Sequence, residues 1–169
     1  MTTLKTLFGT EAVSTKPRSI RFKIIKAVWD TLVVKDQITD YIKPNTRISS
    51  SAETYNLFRF IAYETKEHFL CLHLDSKNKI TCVDLVSTGS LNASIVHPRE
   101  VFKSALLSSA AAMIFLHNHP SGDPTPSRED IEITTRLREA GELLGIRILD
   151  HIIICEESYV SFADRGLIP

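Results

Sequence analysis

The stretch Ala110-Ala111-Ala112-Met113-Ile114-Phe115-Leu116-His117-Asn118-His119, continued by Pro120-Ser121-Gly122-Asp123-Pro124-Thr125-Pro126-Ser127-Arg128-Glu129-Asp130, decides how this chain folds. Ala110 to Leu116 is an unbroken apolar run bounded by turn residues, which predicts a buried strand. Residues i and i+2 of a strand share a face, roughly 7 Å apart at a rise of ~3.3 Å per residue. His117 and His119 therefore lean toward one point. Pro120, Gly122, Pro124 and Pro126 then punctuate a tight loop in which no helix can begin. Ser127 follows as an expected N-cap, with Asp130 at the third helical position. Two histidines and one carboxylate with an open fourth position form the ligand set of hydrolytic zinc sites. His117, His119 and Asp130 are thus candidate metal ligands, and Zn²⁺ is the expected ion. Taken singly, each has a plainer explanation: Ser-x-x-Asp is an ordinary cap, and a strand-end histidine is commonly structural or exposed. The proline-stiffened return of a carboxylate to the two imidazoles is what joins them.

Elements on either side can be read the same way. Ser50-Ser51-Ala52-Glu53 predicts a capping box and a helix through about Ala62, with Leu57, Phe58 and Ile61 buried. Glu67 to Asp75 alternates, with Leu70, Leu72 and Leu74 on one face and Glu67, Phe69, Cys71 and His73 on the other. That strand, the turn Ser76-Lys77-Asn78-Lys79 and a second strand from Ile80 to about Ser87 make a hairpin. After Thr88-Gly89-Ser90 a short extended piece is expected, and then His97-Pro98 opens a helix with proline at its first position. Val101, Phe102, Ala105 and Leu106 should face inward. The helix from Ser127 should bury Ile131, Thr134, Leu137 and Leu144 and end at Gly145. Ile146 to Cys155 predicts a strand interrupted by Asp150-His151, and Tyr159 to Phe162 a last short one. The expected fold class is α/β, a mixed β-sheet flanked by helices.

At 169 residues the chain has length for one domain with a real core and a modest extension. Lys43-Pro44-Asn45 suggests the boundary, giving a basic, partly helical extension over 1–45 and the main domain over 46–169. Within the extension, residues 1–19 suggest a loose arm, and Ile20 to Val34 carries helical spacing over part of its length. Net charge is zero, which removes any whole-molecule polycation argument for nucleic acid. Residues 1–48 nonetheless hold nine Lys/Arg against four Asp/Glu, and the remainder eleven against sixteen. A basic arm on an acidic body suits a polyanionic partner or its own body. Cys71, Cys82 and Cys155 lack any CxxC spacing and predict free thiols in a reducing, cytoplasmic setting. No apolar run approaches the ~18 residues of a membrane span, so no membrane partner is expected. Met1-Thr2-Thr3-Leu4-Lys5 opens no signal-peptide core.

Glu67 in a strand, followed by His117-x-His119-x7-Ser127-x-x-Asp130, resembles the JAMM (MPN-plus) metalloprotease pattern. The wording His-Asn-His-Pro-Ser-Gly-Asp-Pro-x-Pro-Ser-x-x-Asp, with His97-Pro98-Arg99-Glu100 before it and Asp150-His151-Ile152-Ile153 after it, is similar to the bacterial RadC subgroup. The resemblance covers roughly residues 46–169 and implies the JAMM/MPN fold, a cytidine-deaminase-like architecture. It implies Zn²⁺ held by His117, His119 and Asp130 with water in the fourth position, and hydrolysis of an amide (peptide or isopeptide) bond in a peptide or protein substrate. It gives Glu67 the part of general base, and Ser127 that of hydrogen-bond donor to the tetrahedral oxyanion.

Longer RadC proteins carry an N-terminal helix-hairpin-helix DNA-binding region, and residues 1–45 show no such hairpin signature. The competing expectation is a DNA-repair-associated DNA-binding protein or metal-dependent nuclease, prompted by the family label and the basic arm. A non-catalytic scaffold is the third, set against the retention of all three ligands. An HNH nuclease spreads its three letters over a ββα-metal unit, unlike the contiguous His-Asn-His here. A deaminase requires His-x-Glu and Pro-Cys-x-x-Cys, and both are missing. Asp150 and His151 suggest a pair that is either structural or supports the ligands, and Asp123 shapes the site or only its turn. His97 is a helix-start residue, while His68 and His73 have no partner visible in sequence.

Overall fold

The computed structural model describes residues 46–89 and 96–168. Expectations for the extension, its boundary at 43–45 and the extended piece after Ser90 lie outside the described residues. In chain order the elements are α1 (Ser51–Phe58), a 3₁₀ turn (Arg59–Tyr63), β1 (His68–Leu74), β2 (Ile80–Thr88), α2 (Pro98–Leu107), β3 (Ala112–Asn118), α3 (Arg128–Leu144), β4 (Arg147–Ile154) and β5 (Tyr159–Ser161). The five strands form one sheet in the order β2-β1-β3-β4-β5. β3 and β4 run parallel with α3 as their crossover, and every other pair is antiparallel. The sheet is mixed and flanked by helices, an α/β fold.

β3 holds the centre, and every one of its residues is buried. An unbroken apolar run suits a strand covered on both faces. Met113 and Phe115 point to the face covered by α2 and α3, where they meet Phe69, Cys71, Val101, Phe102, Ala105, Ile133 and Leu137. Ile114 and Leu116 point to the face covered by α1 and its 3₁₀ turn, among Leu70, Leu72, Leu74, Phe58, Ile61, Ile152 and Ile154. The alternation expected of β1 is therefore present, with both of its faces buried.

The strand expected to break at Asp150-His151 runs on through them. What changes is its phase. Met113 pairs with Ile148, but Ile114 pairs with Asp150, so Leu149 is an extra residue in β4. Such a bulge flips the side-chain alternation beyond it. Ile146 and Ile148 pack on the α3 face, while Ile152 and Ile154 pack on the α1 face. His151 is thereby delivered to the α3 face, opposite Phe115.

The helices depart from expectation at their ends. α1 stops at Phe58 and tightens into the 3₁₀ turn, a frequent way for a last turn to close. Leu106, Ile131 and Leu144 are exposed, at 55%, 41% and 44%, where burial was expected. In α2 the inward stripe is complete with Val101, Phe102 and Ala105. In α3 it runs through Asp130, Ile133, Thr134, Leu137 and Gly141, a 3.6-residue progression that excludes 131, while Leu144 keeps that phase but is exposed as the last residue of the helix. Gly141 is in that stripe because an added Cβ would lie 2.6 Å from the Ile146 carbonyl oxygen. Gly145 ends the helix in the left-handed conformation, with φ of 71°.

Candidate metal centre

The site forms where β3 ends and α3 begins. His117 closes β3 on the α3 face, and His119 follows two residues later at the start of the loop. Ser127 caps α3: its hydroxyl accepts the Asp130 N–H at 3.1 Å, and its own N–H donates to Asp130 Oδ2 at 2.7 Å. This reciprocal capping box fixes the Asp130 carboxylate in the first turn. The Ser127 hydroxyl also donates to Oδ2, at 2.6 Å. Oδ2 is thus anchored within the cap, while Oδ1 lies 3.3 Å from His117 Nε2.

His117 Nε2 and His119 Nε2 stand 2.8 Å apart, and His119 Nε2 is 3.6 Å from Asp130 Oδ2. One donor atom from each of His117, His119 and Asp130 falls within 4.8 Å of the others, an arrangement able to hold a metal ion. His117 is fully buried, whereas the side chain of His119 is 13% exposed. The cluster therefore has a sealed floor and opens toward solvent on the His119 side.

Electrostatics fit a cation. Burial pushes His117 well below the ordinary imidazole pKa, assisted by His151 and His119 beside it. Burial also works against charge on His119, but the Asp130 carboxylate and the Asp123 carbonyl outweigh it and hold that pKa above the ordinary value. Burial alone would raise Asp130; hydrogen bonding with His119, the electrostatic influence of the neighbouring His117 and the Ser127 donors instead hold it well below the carboxylate range. A buried anion facing two imidazole nitrogens attracts positive charge, as a proton or as a metal.

The other expected residues surround this cluster. Glu67 immediately precedes β1, whose Phe69 pairs with His117 in an antiparallel register. The pairing ends there, and Glu67 lies two residues before Phe69, on the same side of the strand. Its charge is among those that raise His119. Asp123 contributes its backbone: the carbonyl accepts a hydrogen bond from His119 Nδ1 at 2.7 Å, while its carboxylate accepts the Thr125 N–H at 2.9 Å. It shapes both the site and the turn. Asp150 and His151 separate in function. Asp150 faces away and accepts from Ser161 Oγ and the N–H groups of His151 and Ala163. His151 touches the candidate ligand His117, with Nε2 2.8 Å from His117 Nδ1. His97 caps α2 as expected, its Nδ1 accepting from the Arg99 N–H.

Asn118, lying between the two histidines in sequence, received no role from the sequence. It points to the opposite face, where Oδ1 accepts the His68 N–H at 2.8 Å and Nδ2 donates to the Lys66 carbonyl at 3.0 Å. It clamps the backbone on both sides of Glu67. The available signal was a polar side chain at a buried strand position, which must be hydrogen-bonded to be there. The contact of Thr134 Oγ1 with His151 Nδ1, at 2.6 Å, was likewise not legible, since a threonine on an inward helical stripe reads as packing.

These features coincide with what comparison to known proteins finds. Residues 48–167 match the RadC-like JAB domain. A UPF0758 protein of Methanosarcina mazei is 57% identical over 127 residues, covering 75% of this chain and 56% of its own length. One from Geotalea uraniireducens is 67% identical over 102 residues, covering 60% of this chain and 45% of its own length. The chain spans about half the length of the curated relatives it matches. With the match extending from the approach to α1 through the end of the sheet, the chain belongs to the RadC-like JAB domain family.

Proposed function

We propose that this chain is a zinc-dependent metallohydrolase that cuts an amide bond, peptide or isopeptide, in a peptide or protein substrate. The observation that carries this reading is the convergence of His117, His119 and Asp130 within 4.8 Å on a sealed floor that opens at His119. Two imidazoles and a carboxylate suit zinc and leave a fourth position for water. Zinc, when bound, supplies Lewis acidity that brings the pKa of a water to about 7. The Glu67 carboxylate takes the proton of the attacking water and delivers it to the nitrogen of the leaving amine. Ser127 Oγ turns its proton from Asp130 Oδ2 toward the developing oxyanion, a contact whose loss typically costs about 3–4 kcal/mol of transition-state stabilisation. The three free cysteines, two of them buried, suit a reducing cytoplasm.

The test is cleavage of a fluorogenic peptide by the zinc-loaded full chain. Chelation should abolish activity, and Glu67→Gln should lower it by about 100-fold or more while zinc content is retained. Full activity in Glu67→Gln would overturn the mechanism. The basic stretch over residues 1–48 supports the alternative, DNA association. A flat mobility-shift titration at low salt would remove it.

A further inference from the structure

We propose that Thr134 and His151 form a proton-ordered relay that presents a bare His117 Nε2 to the metal and ties helix α3 to strand β3. His151 is thus a positioning residue. The inference rests on the metal reading above, but its geometry stands in the protein alone.

Thr134 Oγ1 lies 2.5 Å from the Asp130 carbonyl oxygen and 2.6 Å from His151 Nδ1. Two oxygens so close need a proton between them, and only the hydroxyl carries one. Thr134 therefore donates to Asp130, so His151 Nδ1 must supply the proton of its own bond to Thr134. The His151 ring sits among Phe69, Phe115 and Phe162, surroundings that disfavour charge. A neutral ring has one N–H, which leaves His151 Nε2 as an acceptor. His117 Nδ1, 2.8 Å away, must then donate. The consequence falls on the far side of the His117 ring, where Nε2 keeps a lone pair for whatever positive charge sits between it and His119 Nε2, 2.8 Å away: the metal or, without it, a proton carried by His119. The opposite proton order would place hydrogen on Nε2 and block ligation.

The relay closes on itself. Asp130 offers its carboxylate to the cluster and its carbonyl to Thr134, so one residue of α3 sits at both ends of the circuit. Imidazole ligands ordinarily have such a partner on the distal nitrogen, fixing tautomer and ring orientation. Here the partner is a second histidine, placed on this face by the extra residue Leu149 in β4. A side chain that only filled the core would need no directional bonds, and phenylalanine would serve as well.

The full chain gives two readouts. Long-range proton–nitrogen NMR of the metal-free protein should show both His117 and His151 as Nδ1–H tautomers. Zinc affinity, measured by chelator competition, should fall about 10–100-fold in His151→Phe. Thr134→Val should weaken it in the same direction, and Thr134→Ser should restore it. A proton on His117 Nε2 in the neutral ring, or wild-type affinity in both His151→Phe and Thr134→Val, would overturn the relay. Should His151→Phe not fold, the tautomers and the Thr134 pair decide. Failure of the wild-type chain to bind zinc would sink the hydrolase reading, while the tautomers would still judge the relay.

Discussion

On the α1 face of the sheet, Leu70, Leu72, Ile114, Leu116, Ile152 and Ile154 pack hydrocarbon against Phe58 and Ile61. On the α3 face, alternate positions of the same strands carry Phe69 and Phe115 but also the fully buried rings of His73, His117 and His151. Excluding water is all the first set has to do. Each imidazole of the second set costs free energy unless its nitrogens find partners. His151 has both nitrogens bonded. His73 bonds Ser108 through Nδ1 at 2.8 Å and leaves Nε2 without a partner, with burial pushing its pKa down. Two buried histidines on one face thus differ in how completely they are satisfied, and the fully bonded one is the one touching the candidate ligand.

Neighbouring residues of β3 give the sharpest way to break this contrast. Leu116 is fully buried on the α1 face and His117 fully buried on the α3 face. Leu116→Ala should cost about 2–5 kcal/mol in denaturant unfolding, yet leave the zinc affinity of the folded chain unchanged. His117→Ala should weaken zinc binding by more than about 100-fold, beyond the loss typical of an outer partner. Its stability cost without metal should be smaller than that of Leu116→Ala. If Leu116→Ala weakened zinc binding as much as His117→Ala, the two faces would not be separable.

Much of this was legible in the residues. The loop from His119 to Ser127 carries its information locally, because proline spacing and a capping pattern fix where Asp130 returns. β1 and β2 were readable because period-two alternation survives in sequence. What escaped depends on tertiary pairing. His151 lies 34 residues from His117, and only the bulge at Leu149 brings it to the right face. Without that insertion the apolar positions Ile146, Ile148, Ile152 and Ile154 read as one face and His151 as the other, the reverse of its true placement. Leu106 and Ile131 lie off the buried phase of their helices, and Leu144 is in phase but exposed at the last position of α3, an end effect that apolar residue type does not reveal.

A smaller effect sharpens the comparison at the far end of α3. An added methyl at Gly141 meets backbone, the Ile146 carbonyl, at 2.6 Å, with Ile148 side-chain atoms at 3.2 and 3.3 Å. Alanine is the better helix former by about 1 kcal/mol, but the helix cannot move without losing the return into β4. Gly141→Ala should therefore destabilise by about 1–3 kcal/mol, seen as a lower thermal midpoint. A raised midpoint would show that the turn yields and that α3 is not fixed at this end.

The two helix caps give the smallest effect and the finest discrimination. Ser50 and Ser127 both accept from the N–H three residues on, at 3.1 Å in each case. Behind Ser50, Glu53 reaches Ser49, and nothing of the candidate site is involved. Behind Ser127, Asp130 completes the box and receives the hydroxyl proton on Oδ2. Replacing either serine by alanine should cost about 1 kcal/mol in the metal-free chain, the ordinary worth of a cap. Only Ser127→Ala should also weaken zinc binding, because it releases the carboxylate oxygen that the hydroxyl holds. Equal zinc affinity in Ser50→Ala and Ser127→Ala would mean that the backbone N–H of residue 127 alone aims Asp130, leaving the hydroxyl free for substrate.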